Sequence, residues 1–498
     1  YLLTVTFRAD GSSKFAPSNR WGYFPAAALG WRMSEEAFLN DVDWLDNLKL
    51  RVSYGEVGND GINSSLWSQN WEATSDKRYQ GAVNGAFLPS YSLGADMANK
   101  DLKWETTITR NIGVDFGFFN SRLTGTIDAY WNTTKDLLMK TAIPGITGFT
   151  STYANVGQTS NKGIEIALQG VLVKTRDWNV TAGFNINFNR GKVDKLADNV
   201  TGLYGTEWAT SSTFPKSDYV LKEGRPVGLV RGLTADGFYT TDDFTYENGV
   251  YTLKEGVADV SSAVFPNYHL HNGMNERPAG QLAYPGMAKF KDLNDDGIIN
   301  DDDVDVIGDM TPVHTGGFNI NATYKNFDLG LYFNWSYGNE IYNVNKLAAL
   351  YGYKEGAVYE NKLSIVKDCY KIYDVVNGEL VALTTPEQLN AANANAKLPL
   401  AYSENGYVST LGIEDGSYLR LNTLTLGYTL PKSMLQKAGI SNLRVYGSIY
   451  NVFTITGYSG IDAEVSTSTS TKTYPQLGMD WGTYPRARSF VLGVNLSF

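Results

Sequence analysis

The chain has 498 residues and a formal net charge of −10, and its acidity argues against a nucleic-acid partner. Aromatic residues make up 13% of the chain and 50 residues are Gly, a composition that suits many strands joined by long polar loops. No apolar run reaches about 18 residues, which excludes a transmembrane helix but not membrane-spanning strands. The single cysteine, Cys369, cannot form an internal disulfide.

Alternation of apolar and polar side chains with a period of two predicts about 12 strands along the chain. The pattern is clear where Ile112, Val114, Phe116 and Phe118 are separated by Gly or polar residues. The predicted strands cover residues 2–8, 23–31, 48–54, 111–118, 122–131, 164–172, 178–189, 318–325, 328–336, 423–430, 442–449 and 489–498.

The connections between these strands are predicted to alternate strictly between short and long. The longest, residues 190–315, is predicted to be an extracellular loop region. Short turns at one end and long loops at the other are typical of an outer-membrane β-barrel. The last strand has an apolar face that ends on Phe498, as expected at a bilayer edge. A soluble β-sandwich is the alternative, but it has no reason to segregate its loops by length.

The two faces of each strand predict which side chains meet lipid. In a membrane barrel the apolar face points outward and the polar face lines a wet lumen. We therefore expect the lipid-facing residues to include Leu426, Ile127, Phe184 and Leu331. The lumen-facing residues should include Thr425, Asp128, Asn185 and Asn334.

Several blocks of the chain resemble the SusC/RagA family of TonB-dependent outer-membrane transporters. They run in order through the whole sequence: FRADGSSKFAPSNRWGYFPAAALGW, LKLRVSYGEVGN, TRNIGVDFGFFNSRLTGTIDAYWNTTKDLLM, SNKGIEIAL, KFKDLNDDGIINDDDVDVIGD, LRLNTLTLGYTLPKSML and YPRARSFVLGVNLSF. The resemblance implies that residues 1–498 form the carboxy-terminal part of one transmembrane antiparallel β-barrel. About 22 strands are expected in the intact barrel. The plug domain, the TonB box and the first strands are expected to precede this chain.

The same resemblance implies a function and partners. The family imports glycan oligomers or peptides across the bacterial outer membrane, with a SusD-like surface lipoprotein over the extracellular mouth. TonB would act through the amino-terminal part. Two alternatives remain open, namely a passive porin-like channel and a surface binding or adhesion protein that is anchored by its barrel.

One acidic stretch, residues 292–303, matches an EF-hand-type loop. A Ca²⁺ ion, or Mg²⁺, is expected to bind the side-chain or carbonyl oxygens of Asp292, Asn294, Asp296, Ile298, Asn300 and Asp303. Asp at the last position has a shorter reach than the usual Glu, so weak affinity is expected. The alternative is a solvated acidic turn that Asx hydrogen bonds hold together.

Aromatic residues in the long loops are candidates for stacking on sugar rings or on peptide side chains. They are Trp67, Trp71, Tyr79, Tyr204, Trp208, Tyr474 and Trp481. The alternative is that these residues pack a large loop onto itself. Nucleophile, phosphate-loop and dinucleotide motifs are missing from the sequence, so we expect neither catalytic residues nor an organic cofactor.

Overall fold

The computed structural model describes residues 1–74, 81–88, 90–94, 96–197, 200–209, 213–262, 277–350, 362–401, 406–435, 439–465 and 476–498. Its main feature is a 12-stranded antiparallel sheet in which each strand pairs with its neighbours in chain order. The strands are β1 (Leu2–Gly11), β2 (Trp21–Arg32), β3 (Leu45–Asn59), β4 (Glu105–Phe118), β5 (Leu123–Lys135), β6 (Gln158–Lys174), β7 (Trp178–Lys195), β8 (His314–Tyr324), β9 (Phe327–Tyr337), β10 (Tyr418–Thr429), β11 (Asn442–Thr456) and β12 (Ser489–Ser497).

Every predicted strand is confirmed, but most extend further at the long-loop end. The strand β7, for example, continues to Lys195, and β4 begins at Glu105. The prediction was short because it followed the apolar face, which gives way to Arg190 and Lys192 on β7. The backbone ladder continues past that point, where the outward side chains are polar.

The prediction of strictly alternating connections is wrong at the first pair of strands. The loop 12–20 between β1 and β2 is shorter than the connection 33–44 on the opposite end of the sheet. That connection begins with a 3-10 turn, Met33–Glu35, which directly follows β2. From β3 onward the alternation holds, with tight turns such as 119–122 at one end and the loops at the other.

The loops at this second end of the sheet, where most are long, are called here L1 (12–20), L2 (60–104), L3 (136–157), L4 (196–313), L5 (338–417) and L6 (457–488). They contain helices α1 (Val344–Leu350) and α2 (Pro386–Asn393), and α3 (Lys432–Leu435) lies on a short turn. No helix in the described ranges has the length and apolar character that crossing a membrane requires. Short strands in L2 and L3 are Trp71–Thr74, Ala82–Val83, Ala86–Phe87, Ser90–Leu93, Asp96–Met97, Leu138–Ala142 and Ser151–Asn155. Those in L4 to L6 are Leu203–Gly205, Tyr219–Leu221, Leu229–Gly232, Ala235–Phe238, Phe244–Glu247, Val250–Leu253, Asp259–Val260, Ala288–Phe290, Ile298–Ile299, Asp305–Asp309, Glu340–Asn343, Tyr373–Val376, Glu379–Ala382, Ile413–Asp415 and Met479–Asp480.

Aromatic side chains mark both ends of the apolar face of the sheet. At the short-turn end, Trp178 packs on Tyr324 with 4.4 Å between ring centroids, and Phe327 packs on Tyr428 at 4.7 Å. At the loop end, Phe188 lies 5.4 Å from His314 between ring centroids. Two aromatic rows around an apolar band are the girdles of a membrane barrel.

The buried apolar cores lie in the loops rather than in the sheet. The largest joins L4 and L5 around Tyr239, Met287 and Tyr407. A second joins L4, L5 and L6, and a third joins L1 with L2 and L3. The sheet therefore supports packed extracellular loops whose separate cores join segments that are far apart in sequence.

Candidate functional site

The polar face of the sheet carries a charged cluster at its first strands. The Arg51 guanidinium on β3 donates from Nε to both carboxylate oxygens of Asp115 on β4, each at 2.9 Å. Its Nη2 donates to Asp128 Oδ2 on β5 at 3.0 Å. All three side chains are partly solvated, with 20–31% of each exposed. A compensated but wet cluster of this kind suits a water-filled lumen.

A second set of polar contacts continues this face over the later strands. The Arg444 guanidinium on β11 donates from Nε to Asp328 Oδ1 on β9 at 2.8 Å. The Thr425 hydroxyl shares a 2.8 Å hydrogen bond with the Ser448 hydroxyl. The predicted lumen residue Asn334 donates to the Tyr418 hydroxyl at 3.1 Å.

The predicted lipid residues lie on the opposite face. Leu426 is 53% exposed and lies opposite Leu329 and Gly447. Ile127 is 41% exposed and lies opposite Val114 and Ile166. Phe184 stacks on Trp335, and Leu331 pairs with Leu424 and Ile320 across the sheet. The predicted separation into one apolar and one polar face is therefore confirmed.

Above the polar face, a buried carboxylate organises L4. Asp218 is fully buried and accepts backbone N–H groups from Glu207 at 2.8 Å, Trp208 at 2.9 Å and Ala209 at 3.1 Å. A buried carboxylate needs such donors, because losing water without them costs several kcal/mol. This node was missed in the sequence, since its donors lie in a loop with no repeating pattern.

A second missed node ties L6 to the end of β10. The guanidinium of Arg420, which is almost fully buried, forms an ion pair with Asp462 and donates to Glu464 Oε2 at 3.2 Å. Arg486 binds the other oxygen of Glu464 at 2.7 Å. Burial raises the pKa of Asp462, but the Glu464 N–H and the Arg420 guanidinium lower it more, so the net pKa lies below its ordinary value.

The predicted ligand-contact aromatics that the structure describes are divided between loop L2 and loops L4 and L6. Trp71 lies on a short L2 strand with 67% of its surface exposed, and Trp67 is half-buried in the same loop. The L2 core packs with L1 and L3, not with L4 or L6. Tyr79, predicted for this loop, lies outside the described residues.

The other predicted aromatics belong to L4 and L6. Tyr204 is 49% exposed, and the Arg231 guanidinium lies 4.9 Å from its ring centroid. Trp208 packs against the core that contains Met479, while Trp481, two residues further on, is 48% exposed. Tyr204 and Trp481 are thus accessible to a ligand, whereas Trp208 packs the loops together. Tyr474 lies outside the described residues.

The acidic loop is anchored to the L4 core. Ile299 is fully buried there, and its strand Ile298–Ile299 runs parallel to Asp259–Val260. Gly297 has a φ of +83°, which L side chains rarely adopt, so this position needs Gly. The Ile299 side chain and the parallel strand pair therefore fix the acidic loop to the L4 core.

The oxygen atoms of this loop accept hydrogen bonds within it. Asp292 Oδ2 accepts the Gly297 N–H at 2.7 Å, and Asp296 Oδ1 accepts the Ile298 N–H at 2.8 Å. Asp303 is fully buried, with one oxygen on the Leu293 N–H and the other on the Asn300 N–H, both at 2.7 Å.

These contacts are the Asx hydrogen bonds of the solvated-turn alternative. In the described ranges, no three His, Cys, Asp or Glu side chains converge closely enough to hold a metal ion. Of the remaining predicted ligands, Asn294 and Asn300 accept the Asp296 and Asp302 N–H groups with their amide oxygens. The Ile298 carbonyl accepts from the Asn300 amide nitrogen at 3.3 Å. Cation binding stays a prediction.

Comparison with known proteins places this arrangement in a family. Residues 1–284 match the family model described as "TonB dependent receptor-like, beta-barrel". The TonB-dependent receptor SusC of Bacteroides thetaiotaomicron is 31% identical over the whole chain, which covers 42% of that protein. TonB-dependent receptor P3 of Formosa agariphila is also 31% identical, with 44% of its length covered.

A solved structure shows the same fold. The RagAB peptide importer in its open-open state superposes on the whole chain with a TM-score of 0.73 at 24% identity, and 45% of that chain is covered. The chain thus spans less than half the length of the relatives that it matches. The chain belongs to the TonB-dependent receptor-like β-barrel family and is a SusC-like protein of the bacterial outer membrane.

Proposed function

We propose that the intact protein imports glycan oligomers or peptides across the outer membrane in a TonB-dependent manner. The observation that carries this proposal is a packed L4–L5–L6 domain above a polar barrel face. A passive pore needs a wet lumen but has no need for such a large structured domain at its mouth. A domain of this size suits capture of an oligomeric ligand before transport.

A SusD-like surface lipoprotein is the proposed partner, and TonB is the proposed source of energy. The relatives support this assignment, since one is named TonB-dependent receptor SusC and the neighbouring fold is that of a peptide importer. Catalysis is not part of the proposal. Tyr204 and Trp481 are the proposed ligand contacts, because both present exposed rings on the loop domain.

The test uses a strain that lacks the chromosomal gene and carries an introduced copy of the complete gene, either wild type or variant. Growth on single oligosaccharides or peptides is measured for wild type, for a strain without TonB, and for Tyr204→Ala and Trp481→Ala. Loss of growth without TonB supports active import. Unchanged uptake in that strain would support the porin-like alternative, and ligand binding without uptake would support an adhesion protein. Trp208→Phe is the matched control, since this ring packs inside the loops.

We further propose that the loop 292–303 binds Ca²⁺ or Mg²⁺ weakly. The support is the pattern of oxygen side chains, the left-handed Gly297 and the anchoring of Ile299 in the core. Asp292, Asn294, Asp296, Asn300, Asp303 and the Ile298 carbonyl would hold the ion. Binding would order the part of L4 that leads into β8.

A further inference from the structure

A row of cationic side chains crosses the outer face of the sheet just above its apolar band. Trp131 on β5 lies directly opposite Arg110 on β4 and Lys162 on β6, and Lys162 lies opposite Arg190 on β7. Cross-strand partners share a face, and this face continues from the apolar residues below it. Lys192 follows two residues after Arg190, on the same side of β7. We call Arg110, Trp131, Lys162, Arg190 and Lys192 the outer basic patch.

The height of the patch can be worked out from β7. From Trp178 to Phe188 the strand rises about 34 Å at about 3.4 Å per residue. A tilt of about 40° reduces this to about 26 Å along the membrane normal, which equals the apolar band of an outer-membrane barrel. Arg190 is the next outward residue after Phe188. The patch therefore lies at the level of the lipid headgroups on the extracellular side, not in hydrocarbon.

The cations of the patch are mostly uncompensated. Within the described ranges, Arg110, Lys162 and Arg190 form no ion pair, and only Lys192 has one, with Asp194 at 3.1 Å. The Arg190 Nη1 group donates to the Asn189, Pro312 and Val313 carbonyls at 2.8, 2.8 and 3.1 Å, which fixes the guanidinium without neutralising it.

A cavity of about 480 Å³ adjoins these side chains. Trp131, Lys162, Arg190 and Lys192 line it together with the L4 residues Asp309 and Thr311. The Asp309 carboxylate accepts the Thr311 N–H at 2.9 Å. Three cationic side chains, the Asp309 carboxylate and the Trp131 ring therefore line one cavity.

The row beneath the patch is apolar. Ala129 lies opposite Ile112 on β4 and Ile164 on β6, and Ile164 lies opposite Phe188. A ligand for the whole surface would need anionic groups at the height of the patch and hydrocarbon immediately below them. A phosphorylated glycolipid of the outer leaflet has this arrangement.

We propose that the outer basic patch binds the phosphorylated sugar headgroup of an outer-leaflet glycolipid. Lys162, Arg190 and Lys192 contact the phosphates, and Trp131 contacts a sugar ring. The acyl chains pack against the apolar row that contains Ile112, Ile164 and Phe188. Arg110 donates to the Thr133 hydroxyl at 3.3 Å and forms the edge of the patch on β4. Cations near an anionic membrane surface bind through this kind of charge attraction.

The test uses the intact purified protein in nanodiscs that contain lipid A as the probe. Native mass spectrometry counts lipid A molecules retained by wild type and by the triple variant Lys162→Ser/Arg190→Ser/Lys192→Ser. We expect retention to fall about a hundredfold, as estimated for the loss of three surface cations. Dephosphorylated lipid A should bind wild type as weakly as phosphorylated lipid A binds the variant. Heat modifiability on gels verifies that each barrel is folded.

The matched control removes three cations at the periplasmic end, Arg122→Ser/Lys174→Ser/Arg176→Ser. Arg122, like Arg190, donates to backbone carbonyls, in its case those of Val171 and Leu172, each at 3.3 Å. This variant should retain lipid A within about twofold of wild type, since its three cations do not line the cavity of the outer basic patch. Equal losses in both variants would mean general charge attraction and overturn the site. Unchanged retention in the first variant, or equal binding of dephosphorylated lipid, would overturn it as well.

Discussion

An arginine scan across the sheet tests which face meets lipid and how deep each residue lies in the membrane. Leu331 on β9 lies four residues from the girdle residue Phe327, or about 10 Å along the membrane normal at about 3.4 Å per residue and a tilt of about 40°. Leu426 lies two residues from Tyr428, or about 5 Å from the girdle by the same arithmetic. Thr425 is its neighbour on the polar face.

The expected costs follow from these depths. Leu331→Arg lies near the midplane and should lower the free energy of unfolding by about 2–4 kcal/mol, and Leu426→Arg by about 1–2 kcal/mol. Thr425→Arg should cost less than about 1 kcal/mol, since its charge meets water and only the hydrogen bond to Ser448 is lost.

The assay is a denaturant titration of the complete barrel in lipid vesicles, followed by tryptophan fluorescence. Leu331→Gln and Leu426→Gln are the matched controls, because they add polarity without charge. Equal destabilisation by Thr425→Arg and Leu331→Arg would refute the assignment of faces. A larger cost at Leu426 than at Leu331 would refute the assignment of depth.

Three further predictions concern the loops. Calorimetry with Ca²⁺ and Mg²⁺ should show binding heat at millimolar cation for wild type and for Asp302→Ala, but not for Asp292→Ala; no heat for wild type would leave the solvated acidic turn as the explanation. Arg420→Gln should cost about 3–5 kcal/mol because it leaves the buried Asp462 carboxylate without its cation. A melting curve should show partial recovery when Asp462→Asn is added, and no loss of stability would contradict the proposed anchoring of L6. Burial raises the pKa of Glu414, but Ser459 and Lys346 lower it more, so that the net pKa lies below its ordinary 4.5. A depressed pKa contributes stability above pH 4.5 that is lost as the pH falls through the folded-state value, so limited proteolysis should cut L6 faster in acid, with less pH dependence in Glu414→Gln.

The unpaired strand edges lead to one more prediction. Among the described residues, β1 pairs only with β2 and β12 only with β11. Backbone groups without partners in hydrocarbon cost several kcal/mol each, so we expect these edges to pair with further strands in the intact protein. Residues 1–498 expressed alone should give no heat-modifiable, protease-resistant barrel in detergent. A stable closed monomer from this segment would show that these strands suffice.

Strand number, order and face could all be predicted from the sequence. In a membrane barrel every strand has one face in lipid and one in water, so the period of two is written into nearly every strand. Antiparallel neighbours in chain order need no long-range information either, since tight turns such as 119–122 bring consecutive strands together. The strand ends were predicted less well, because beyond the apolar band Arg190 and Lys192 replace the outward apolar side chains.

The loop domain could not be predicted in the same way. Its contacts join residues that are far apart in the chain, such as the ion pairs of Arg420 with Asp462 and Glu464. No periodic pattern in the sequence predicts such pairs. For the same reason, sequence could not distinguish the exposed ring of Tyr204 from the packed ring of Trp208. Alternation along a strand is a local property, because lipid on one face of the sheet and water on the other constrain each residue separately. Burial in the loops, and the alignment of cations across β4 to β7, depend on which distant segments become neighbours, and only the tertiary structure decides that.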